Sequence, residues 1–341
     1  MPDLPAPAVF MVVPGHFADG KPQYSTFVQS QMTALIESGV TVHLGLFTGR
    51  INPLEVIRDV RCLKEAFRRS GANLIHAQYG TITALAASYI AGSVPLIISF
   101  GGSDILGIPV PGMHWRLRGA LGKHFSLRAG ARATAIIVKS QNLFNALPAH
   151  LQQKTHLVPN GVNTAIFTPL PKEACRSKLG WKAEERIVVL CASDGGDHRY
   201  RKNIPLAEAA VRLAEKEMGP IRFEVFYGYP HAAVAELLNA ADVLLMTSLQ
   251  EGSPNIVKEA MACNLPVVAV PCGDVAERLE GVTPGGVYPY DAAELAKGII
   301  AVMTASRRSN GKEQLESQGL TAASVARKLI SLYASLVPRS C

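Results

Sequence analysis

The strongest constraint on the fold is a regular alternation of short apolar runs with longer amphipathic segments along the chain. The predicted strands cover Ala8–Val13, Val40–Phe47, Asn73–Gln78, Leu96–Phe100, Ala135–Lys139, Ile187–Ala192, Ile221–Tyr227 and Ala241–Thr247. Such alternation is typical of parallel sheets covered by helices on both faces. We therefore predict an α/β fold with two Rossmann-like domains whose parallel sheets face a central cleft. Ligands of such sheets lie beyond the carboxyl ends of the strands.

A turn-rich segment, VPNGVNTAIFTP at residues 158–169, marks the predicted domain boundary, because proline and Asn-Gly interrupt regular structure. This gives an N-terminal domain over residues 1–165 and a C-terminal domain over residues 166–310. Residues 311–341 are predicted to be a helical segment, with packing back on the N-terminal domain as one option. A length of 341 residues is sufficient for two domains with separate cores.

The net charge of +7 is unevenly distributed. Residues 1–165 carry 14 Lys and Arg against 7 Asp and Glu, whereas the remainder carries 20 of each. A basic first domain favours anionic partners, such as a phospholipid surface or a charged acceptor. One basic stretch, residues 114–132, contains five Lys or Arg and no acid. It fits an amphipathic helix that lies on a membrane surface. A packed helix with a solvated basic face explains the stretch equally well.

The six cysteines show neither a CxxC pair nor metal-ligand spacing, so we expect reduced and mostly buried thiols. The first residues lack a basic leader, and no apolar run approaches the roughly 20 residues of a membrane span. We therefore predict a cytoplasmic protein that is at most peripheral at the inner face of a membrane. No cofactor and no nucleic-acid partner are expected.

The stretch TSLQEGSPNIVKEAMACNLPVVAV, residues 247–270, reads as a strand end, a loop, a helix and a strand. Ser253 is the predicted N-cap of a helix that starts at Pro254 and runs to about Cys263. A helix start presents free N–H groups and a partial positive charge, which favour a phosphate in front of Gly252, Ser253 and Asn255.

Two acids flank that predicted phosphate position. Glu251 lies in the loop, and Glu259 lies on the same helix face as Asn255. Carboxylates accept strong hydrogen bonds from ribose and hexose hydroxyls, so a nucleotide sugar is the predicted ligand. An ordinary surface loop with an amphipathic helix would explain the apolar residues of this stretch but not its acids.

The setting of these acids, EGSPNIVKEAMACNLPVVA, resembles the donor-site signature of family 4 retaining glycosyltransferases with the GT-B fold. The segments VPNGVNTAIF, LIHAQYGTITALAA and IISFGGSDI are similar to other parts of that family, and the likeness is greatest to its bacterial polysaccharide-building members. The resemblance implies that Glu251 lies by the donor sugar and that Glu259 holds the ribose. It also implies metal-independent, retaining hexosyl transfer from a UDP or GDP sugar to a hydroxyl of a glycan, a lipid-linked glycan or a small metabolite.

A departing diphosphate needs fixed positive charge. The segment ASDGGDHRYRKN, residues 192–203, follows a strand and supplies three cations. The resemblance places Lys202 and Asn203 at the family's diphosphate-binding position, and it leaves the accompanying arginine open between Arg199 and Arg201. The loop Tyr227–His231, with Tyr229, follows another strand at the same sheet edge and is placed to contact the base.

The first domain departs from the family pattern at one position. Gly101 stands where many members have a histidine that contacts the donor sugar, so another group, such as His76 or His114, would have to fill that place. Asp104 either orients the acceptor or the sugar, or caps the next helix. On the acceptor side the candidates are Gly20 and Lys21 of the first loop, together with His76.

The candidate catalytic residues are Glu251, Lys202, Arg201 and Asp104, and the candidate donor-binding residues are Gly252, Ser253, Pro254, Asn255, Glu259, Asn203, Arg199, Tyr229 and Gly101. No paired-aspartate DxD motif is present, so no metal site is predicted. The lack of GxGxxG after the first strand argues against a dinucleotide oxidoreductase. A nucleotide-sugar epimerase and a non-catalytic nucleotide-sugar-binding protein remain alternatives.

Overall fold

The computed structural model of the chain describes residues 7–48, 52–192 and 198–337. Its contacts divide the chain into two compact units. The first unit comprises residues 1–161 and 322–341, and the second comprises residues 162–321. Residues 311–321 thus lie with the second unit, whereas the helix that follows them lies with the first.

The first unit is built on a sheet in which β3, β1, β4, β5, β6 and β7 are parallel neighbours in that order. Its strands are β1 (Ala8–Ala18), β2 (Lys21–Tyr24), β3 (Thr41–Phe47), β4 (Leu74–Gln78), β5 (Leu96–Phe100), β6 (Ala135–Val138) and β7 (Thr155–Leu157). Its helices up to the domain boundary are α1 (Thr26–Glu37), α2 (Pro53–Ser70), α3 (Thr81–Ile90), α4 (Ser103–Leu106), α5 (Met113–Arg132), α6 (Gln141–Asn145) and α7 (Ala149–Gln152).

The second unit has a sheet in the order β12, β11, β10, β8, β9, with parallel pairing throughout. Its strands are β8 (Arg186–Cys191), β9 (Ile221–Phe226), β10 (Val243–Met246), β11 (Val267–Ala269) and β12 (Gly285–Val287). Its helices are α8 (Lys172–Leu179), α9 (His198–Arg201), α10 (Ile204–Met218), α11 (His231–Ala240), α12 (Asn255–Ala262), α13 (Val275–Arg278), α14 (Ala292–Ala305) and α15 (Gly311–Ser317). The predicted α/β class with two parallel sheets is confirmed.

Local sequence explains where several helices begin and end. The side chain of Asn52 accepts a hydrogen bond from the N–H of Leu54, and Pro53 occupies the first turn of α2. Gly71 ends the same helix in the left-handed conformation that glycine adopts most readily. Asp291 caps α14 by accepting from two N–H groups of its first turn.

Both faces of the first sheet are buried. Along β1, Phe10 and Val12 join one apolar cluster, whereas Val9 and Met11 join the cluster on the opposite face. This alternation places helices on both sides, as expected for a parallel sheet. The last helix, α16 (Ala322–Leu336), contributes Leu329, Leu332 and Tyr333, among others, to the second of these clusters.

The first strand, predicted to end at Val13 and to be followed by a loop that includes Gly20 and Lys21, is instead longer and forms a β-hairpin. Strand β1 continues to Ala18, and β2 pairs with it in antiparallel fashion. Asp19 and Gly20 form the connection with φ values of 50° and 72°. A two-residue turn with positive φ at both positions suits Asp-Gly, because it matches the twist of the paired strands.

The cysteine prediction is confirmed at Cys175, Cys263 and Cys272, which are free and buried. Cys62 departs from it, since its thiol lies on the exposed side of α2. Within the described ranges, no helix combines the length and the apolar composition that a bilayer crossing requires.

Candidate functional site

A charged site lies beyond the carboxyl end of β10 in the second unit. Its centre is an ion pair in which Lys202 Nζ donates to Glu251 Oε1 at 2.7 Å. The two side chains are only 12% and 16% exposed, respectively. Burial acts to raise the pKa of Glu251, but the charges of Lys202 and Arg201 and hydrogen bonds from Lys202 and Ser248 outweigh it, so the pKa lies below its ordinary value. Glu251 is therefore a carboxylate at neutral pH.

The segment that carries Lys202 is fastened to the end of β10. Thr247 Oγ1 donates to the carbonyl oxygens of Lys202 and Asn203 at 2.7 and 3.2 Å. The N–H of Leu249 donates to the carbonyl of Arg201 at 2.9 Å. Asn203 itself has a φ of 51° and is the N-cap residue of α10. These bonds bring a cation and an acid together although 48 residues separate them along the chain.

Helix α12 starts at Asn255, with Pro254 at the N-cap position and no side-chain cap. The prediction that Ser253 caps this helix is wrong. Instead, Ser253 Oγ donates to Asp274 Oδ2 at 2.8 Å, so its hydroxyl bonds to another loop. The predicted helix itself is confirmed, and its first N–H groups lie next to Gly252 and Ser253.

Glu259 lies on α12 as a half-buried side chain on the same face as half-buried Asn255. Burial raises the pKa of Glu259 to about 7, although the neighbouring charge of Lys258 acts to lower it. The carboxyl group is therefore partly protonated near neutral pH. It can donate or accept a hydrogen bond there.

The two candidate arginines differ in their surroundings. Arg199, at 60% exposure, forms a surface ion pair with Glu208 at 3.0 Å. Arg201 is half-buried, and its charge acts on Glu251. Residues 193–197 of the predicted cationic loop lie outside the described residues. Of the two arginines, the structure brings Arg201 to the ion pair.

Two tyrosines lie near this sheet edge. Tyr229 follows β9, is 51% exposed and contacts the ring of Phe226. Tyr290 was not anticipated from the sequence, and its hydroxyl donates to the carbonyl of Ser248 at 2.9 Å. Tyr290 follows β12, and this strand is too short and too rich in glycine to be recognised from the sequence, so the position of Tyr290 at the sheet edge could not be predicted.

In the first unit, Asp104 cannot touch a ligand, which corrects its assignment as a catalytic candidate. Its side chain is completely buried and accepts hydrogen bonds from the N–H groups of Gly80, Gly101 and Gly102 at 2.7–3.1 Å. Burial raises its pKa, and these three N–H groups act against that rise. The carboxylate ties two strand-end loops together. It does not cap the next helix, because Asp104 lies within α4 and the N-cap residue there is Gly102.

His76 is also buried rather than available to an acceptor. Its Nδ1 lies 2.7 Å from the hydroxyl of Tyr333, and its Nε2 lies 2.8 Å from Ser99 Oγ. Burial, assisted by the charge of Lys139, lowers its pKa to about 3. The ring is thus neutral and connects β4 to α16, so the acceptor-side assignment of His76 is wrong.

The remaining first-unit candidates are accessible. Gly20 and Lys21 lie at the exposed tip of the hairpin. A side chain placed at Gly101 would meet only the ring of Tyr79, at 3.4 Å from the new Cβ atom. Gly101 therefore has room for a larger residue, and its lack of a side chain is not enforced by packing.

Sequence analysis also missed a buried polar cluster behind the site, formed by Lys258, Asp274 and Arg278. The one available signal was a lysine within the apolar face of a helix. In the described parts of the chain, no group of three or more His, Cys, Asp or Glu residues is arranged to hold a metal ion.

Comparison with known proteins identifies this architecture. Over 97% of this chain and 99% of the other, the structure superposes on a sucrose-phosphate synthase from Thermosynechococcus elongatus with a TM-score of 0.73 at 19% identity. Anabaena HepE, solved in complex with UDP-glucose, gives a TM-score of 0.68 at 17% identity over 96% of this chain and 100% of that one. The fold is that of the GT-B glycosyltransferases.

Sequence comparison gives the family. Residues 14–166 match the family described as Glycosyltransferase Family 4, and residues 186–305 match Glycosyl transferases group 1. The chain belongs to this glycosyltransferase family, as its resemblance had indicated. A curated relative, "Putative teichuronic acid biosynthesis glycosyltransferase TuaC" of Bacillus subtilis, is 26% identical over 244 residues. That alignment spans 67% of this chain but only 60% of TuaC.

Proposed function

We propose that the protein transfers a sugar, with retention of configuration, from a nucleotide diphosphate sugar to a hydroxyl acceptor. The observation that carries this proposal is the buried ion pair between Lys202 and Glu251, the acid of the loop that leads into α12. A cation, an ionised acid and the N-terminus of a helix at one sheet edge fit a sugar diphosphate better than any one of these groups alone would. The family membership of the chain supports the same reaction.

Each group has a proposed role. Lys202, assisted by Arg201, stabilises the charge that develops on the departing diphosphate, and the N–H groups at Gly252 and Ser253 bind phosphate oxygens. Glu251 accepts hydrogen bonds from hydroxyls of the donor sugar, and Glu259 holds the ribose. The departing phosphate oxygen takes the proton of the acceptor hydroxyl on the face from which it leaves, so no enzyme nucleophile is required.

Lys202 is already paired with Glu251 before any ligand arrives. This pair holds the ammonium group in place while its other two N–H donors can reach phosphate oxygens. Such fixed charge lowers the reorganisation that bond breaking requires, which is the main source of electrostatic catalysis. Neutral Glu251 variants would lose this restraint on Lys202.

The donor is proposed to be a UDP sugar, because structural neighbours include proteins solved with UDP-glucose. The acceptor is proposed to be a growing glycan or lipid-linked glycan, because TuaC is named for teichuronic acid biosynthesis. Binding of UDP-glucose, UDP-N-acetylglucosamine and GDP-mannose should be compared by calorimetry, followed by product analysis with candidate acceptors.

The test of the site is Lys202→Ala, which should weaken donor binding by tenfold or more and reduce transfer further. Lys297→Ala is the matched control, because Lys297 forms a similar ion pair with Glu294 at 2.6 Å on the exposed side of α14. Equal donor binding by both variants and the wild type would contradict the proposed site. Isomerised sugar nucleotide formed without acceptor would instead favour an epimerase, and binding without turnover would favour a non-catalytic protein.

We further propose that α5 contacts an anionic membrane surface. Met113, Leu117 and Leu121 lie one turn apart, and their side chains are 68%, 64% and 51% exposed. The same helix carries five basic residues and no acid over residues 114–132. Exposed apolar side chains with surrounding positive charge are typical of helices that lie in the headgroup region. Flotation with phosphatidylglycerol vesicles should recover the protein, and Leu117→Glu together with Leu121→Glu should abolish that recovery.

A further inference from the structure

Lys258 is completely buried in α12, one residue before Glu259. Its neighbours Val257, Ala260 and Met261 belong to the apolar core of the second unit. Burial of an ammonium group is unfavourable unless hydrogen bonds and opposite charge compensate for the lost water. The presence of lysine at this position therefore needs a specific explanation.

A hydrogen-bonded chain connects Lys258 to the loop of the proposed donor site. Lys258 Nζ donates to Ser253 Oγ at 3.0 Å, and Ser253 Oγ donates to Asp274 Oδ2 at 2.8 Å. Arg278 Nε donates to the same Asp274 oxygen at 3.0 Å, and another of its nitrogens donates to Gln318 at 2.9 Å. The side chains of Asp274 and Arg278 are 0% and 11% exposed.

The backbone beside Asp274 also lies directly against the donor loop. A Cβ atom at Gly273 would lie 2.8 Å from the carbonyl oxygen of Gly252 and 3.0 Å from that of Glu251. Gly273 also has a φ of +62°, so glycine is required there for two reasons. The loop from Glu251 to Ser253 is thus held from behind by both backbone and side chains.

The charges around Lys258 are close to balanced. Asp274 and Glu259 stabilise its ammonium group, whereas Arg278 opposes it. Burial nevertheless lowers the pKa of Lys258 to about 8, so the group is still mostly protonated at pH 7. Its positive charge can therefore hold Ser253 and Asp274 together.

We propose that Lys258 and Asp274 are positioning residues that fix the loop Glu251–Ser253 in its binding conformation. They act through Ser253 and do not contact the substrate. This inference rests on the proposed function for its meaning, because a fixed loop matters only if Glu251 and the helix N–H groups bind the donor. A purely structural cluster would instead affect folding stability without a separate effect on the loop.

The experiment compares Lys258→Met, which removes the donor and the charge, with Lys258→Gln, which retains an N–H donor for Ser253. Lys312→Met is the matched control, because Lys312 also donates to a hydroxyl, that of Thr168, at a different place in the same unit. Lys258→Met is expected to weaken UDP-glucose binding at least tenfold, and Lys258→Gln to weaken it less. Lys312→Met should bind like the wild type.

Hydrogen exchange of the amides of Glu251, Gly252, Ser253 and Asn255 supplies a readout that needs no ligand. Exchange there should rise in Lys258→Met at least tenfold more than in the rest of α12, and should not rise in Lys312→Met. Unchanged exchange, or a rise spread evenly over the second unit, would overturn the inference. If the wild type binds none of the three nucleotide sugars, the proposed donor site fails, while the exchange experiment still decides whether Lys258 fixes the loop.

Discussion

Each unit places an acid just beyond the carboxyl end of a parallel strand, but the two acids have different surroundings. In the first unit, Asp104 is completely buried and bonded to three backbone N–H groups. In the second, Glu251 retains 16% exposure and is bonded to a lysine side chain. An acid satisfied by backbone maintains local structure, whereas an acid that keeps some exposure and is paired with a side-chain cation has the chemistry that a ligand site needs. The same position in two similar sheets therefore has different surroundings.

The largest expected effect is on stability, and it tests the structural role of Asp104. Asp104→Ala removes the acceptor of three buried N–H groups, so we expect a loss of about 3 kcal/mol or more in the free energy of unfolding. Urea unfolding followed by fluorescence would measure it. Trp115 lies in the first unit and Trp181 in the second, so single-tryptophan variants assign the transition. A loss below about 1 kcal/mol would contradict this role of Asp104.

The second prediction tests the proposed role of Glu251 in sugar transfer. Glu251→Gln keeps the shape of the side chain but removes the charge that holds Lys202. We expect transfer to fall by about 100-fold or more, comparable with the loss of one electrostatic group in other active sites. Stability should change less than in Asp104→Ala. If Glu251→Gln is the more destabilising of the two and retains transfer, the contrast between the acids is reversed.

The third prediction uses the pH dependence of stability to distinguish Glu259 from Asp104 and Glu251. The pKa of Glu259 is about 7 in the folded state, above its ordinary value of 4.5. Between pH 4.5 and about pH 7, the folded protein therefore keeps a proton on Glu259 that the unfolded chain has lost. The stability contribution is complete below about pH 4.5 and declines as the pH rises to about 7. Glu259→Gln should remove this decline, which amounts to about 3 kcal/mol for a pKa raised from 4.5 to about 7. Unfolding free energies at pH 5 and pH 8 that change equally in both proteins would contradict it.

The smallest effect is expected at Gly101, the position at which the family resemblance implies a histidine. Because a new Cβ atom would meet only the Tyr79 ring at van der Waals distance, Gly101→His should leave the melting temperature within a few degrees of the wild type. Transfer should change by less than about tenfold. A melting temperature lowered by about 8 °C or more would show that packing does exclude a side chain at this position.

Sequence patterns predicted most of the fold because parallel α/β sheets are encoded by local periodicity. The strand at Leu96–Phe100, for example, was predicted with the bounds that the structure has. The hairpin of β1 and β2 was missed because the end of β1 and the four residues of β2 are largely exposed, so they lack the apolar alternation that identifies a strand. The Asp-Gly pair at its turn was the signal that could have found it.

The candidate site was predictable only in part. The sequence pointed to Glu251 in the loop and Glu259 on the helix that follows it, and the family resemblance implied the place of Lys202. It could not show that Asp104 and His76 are buried, since burial depends on segments distant in the chain. Nor could it show that the hydroxyl of Ser253 donates to Asp274, because that partner lies on another loop 21 residues further along the chain.

The alternation of the main strands and helices, the start of α12 near Asn255 and the family of the chain all followed from the sequence by itself. Local periodicity and short motifs are properties of neighbouring residues, so no tertiary information is needed to find them. The pairing of Lys202 with Glu251, the neutral state of His76 and the buried contacts of Lys258 were decided only by the tertiary structure. The charge state of a side chain and the partners that it contacts depend on its burial and on groups distant in sequence. Only the folded structure determines which groups these are.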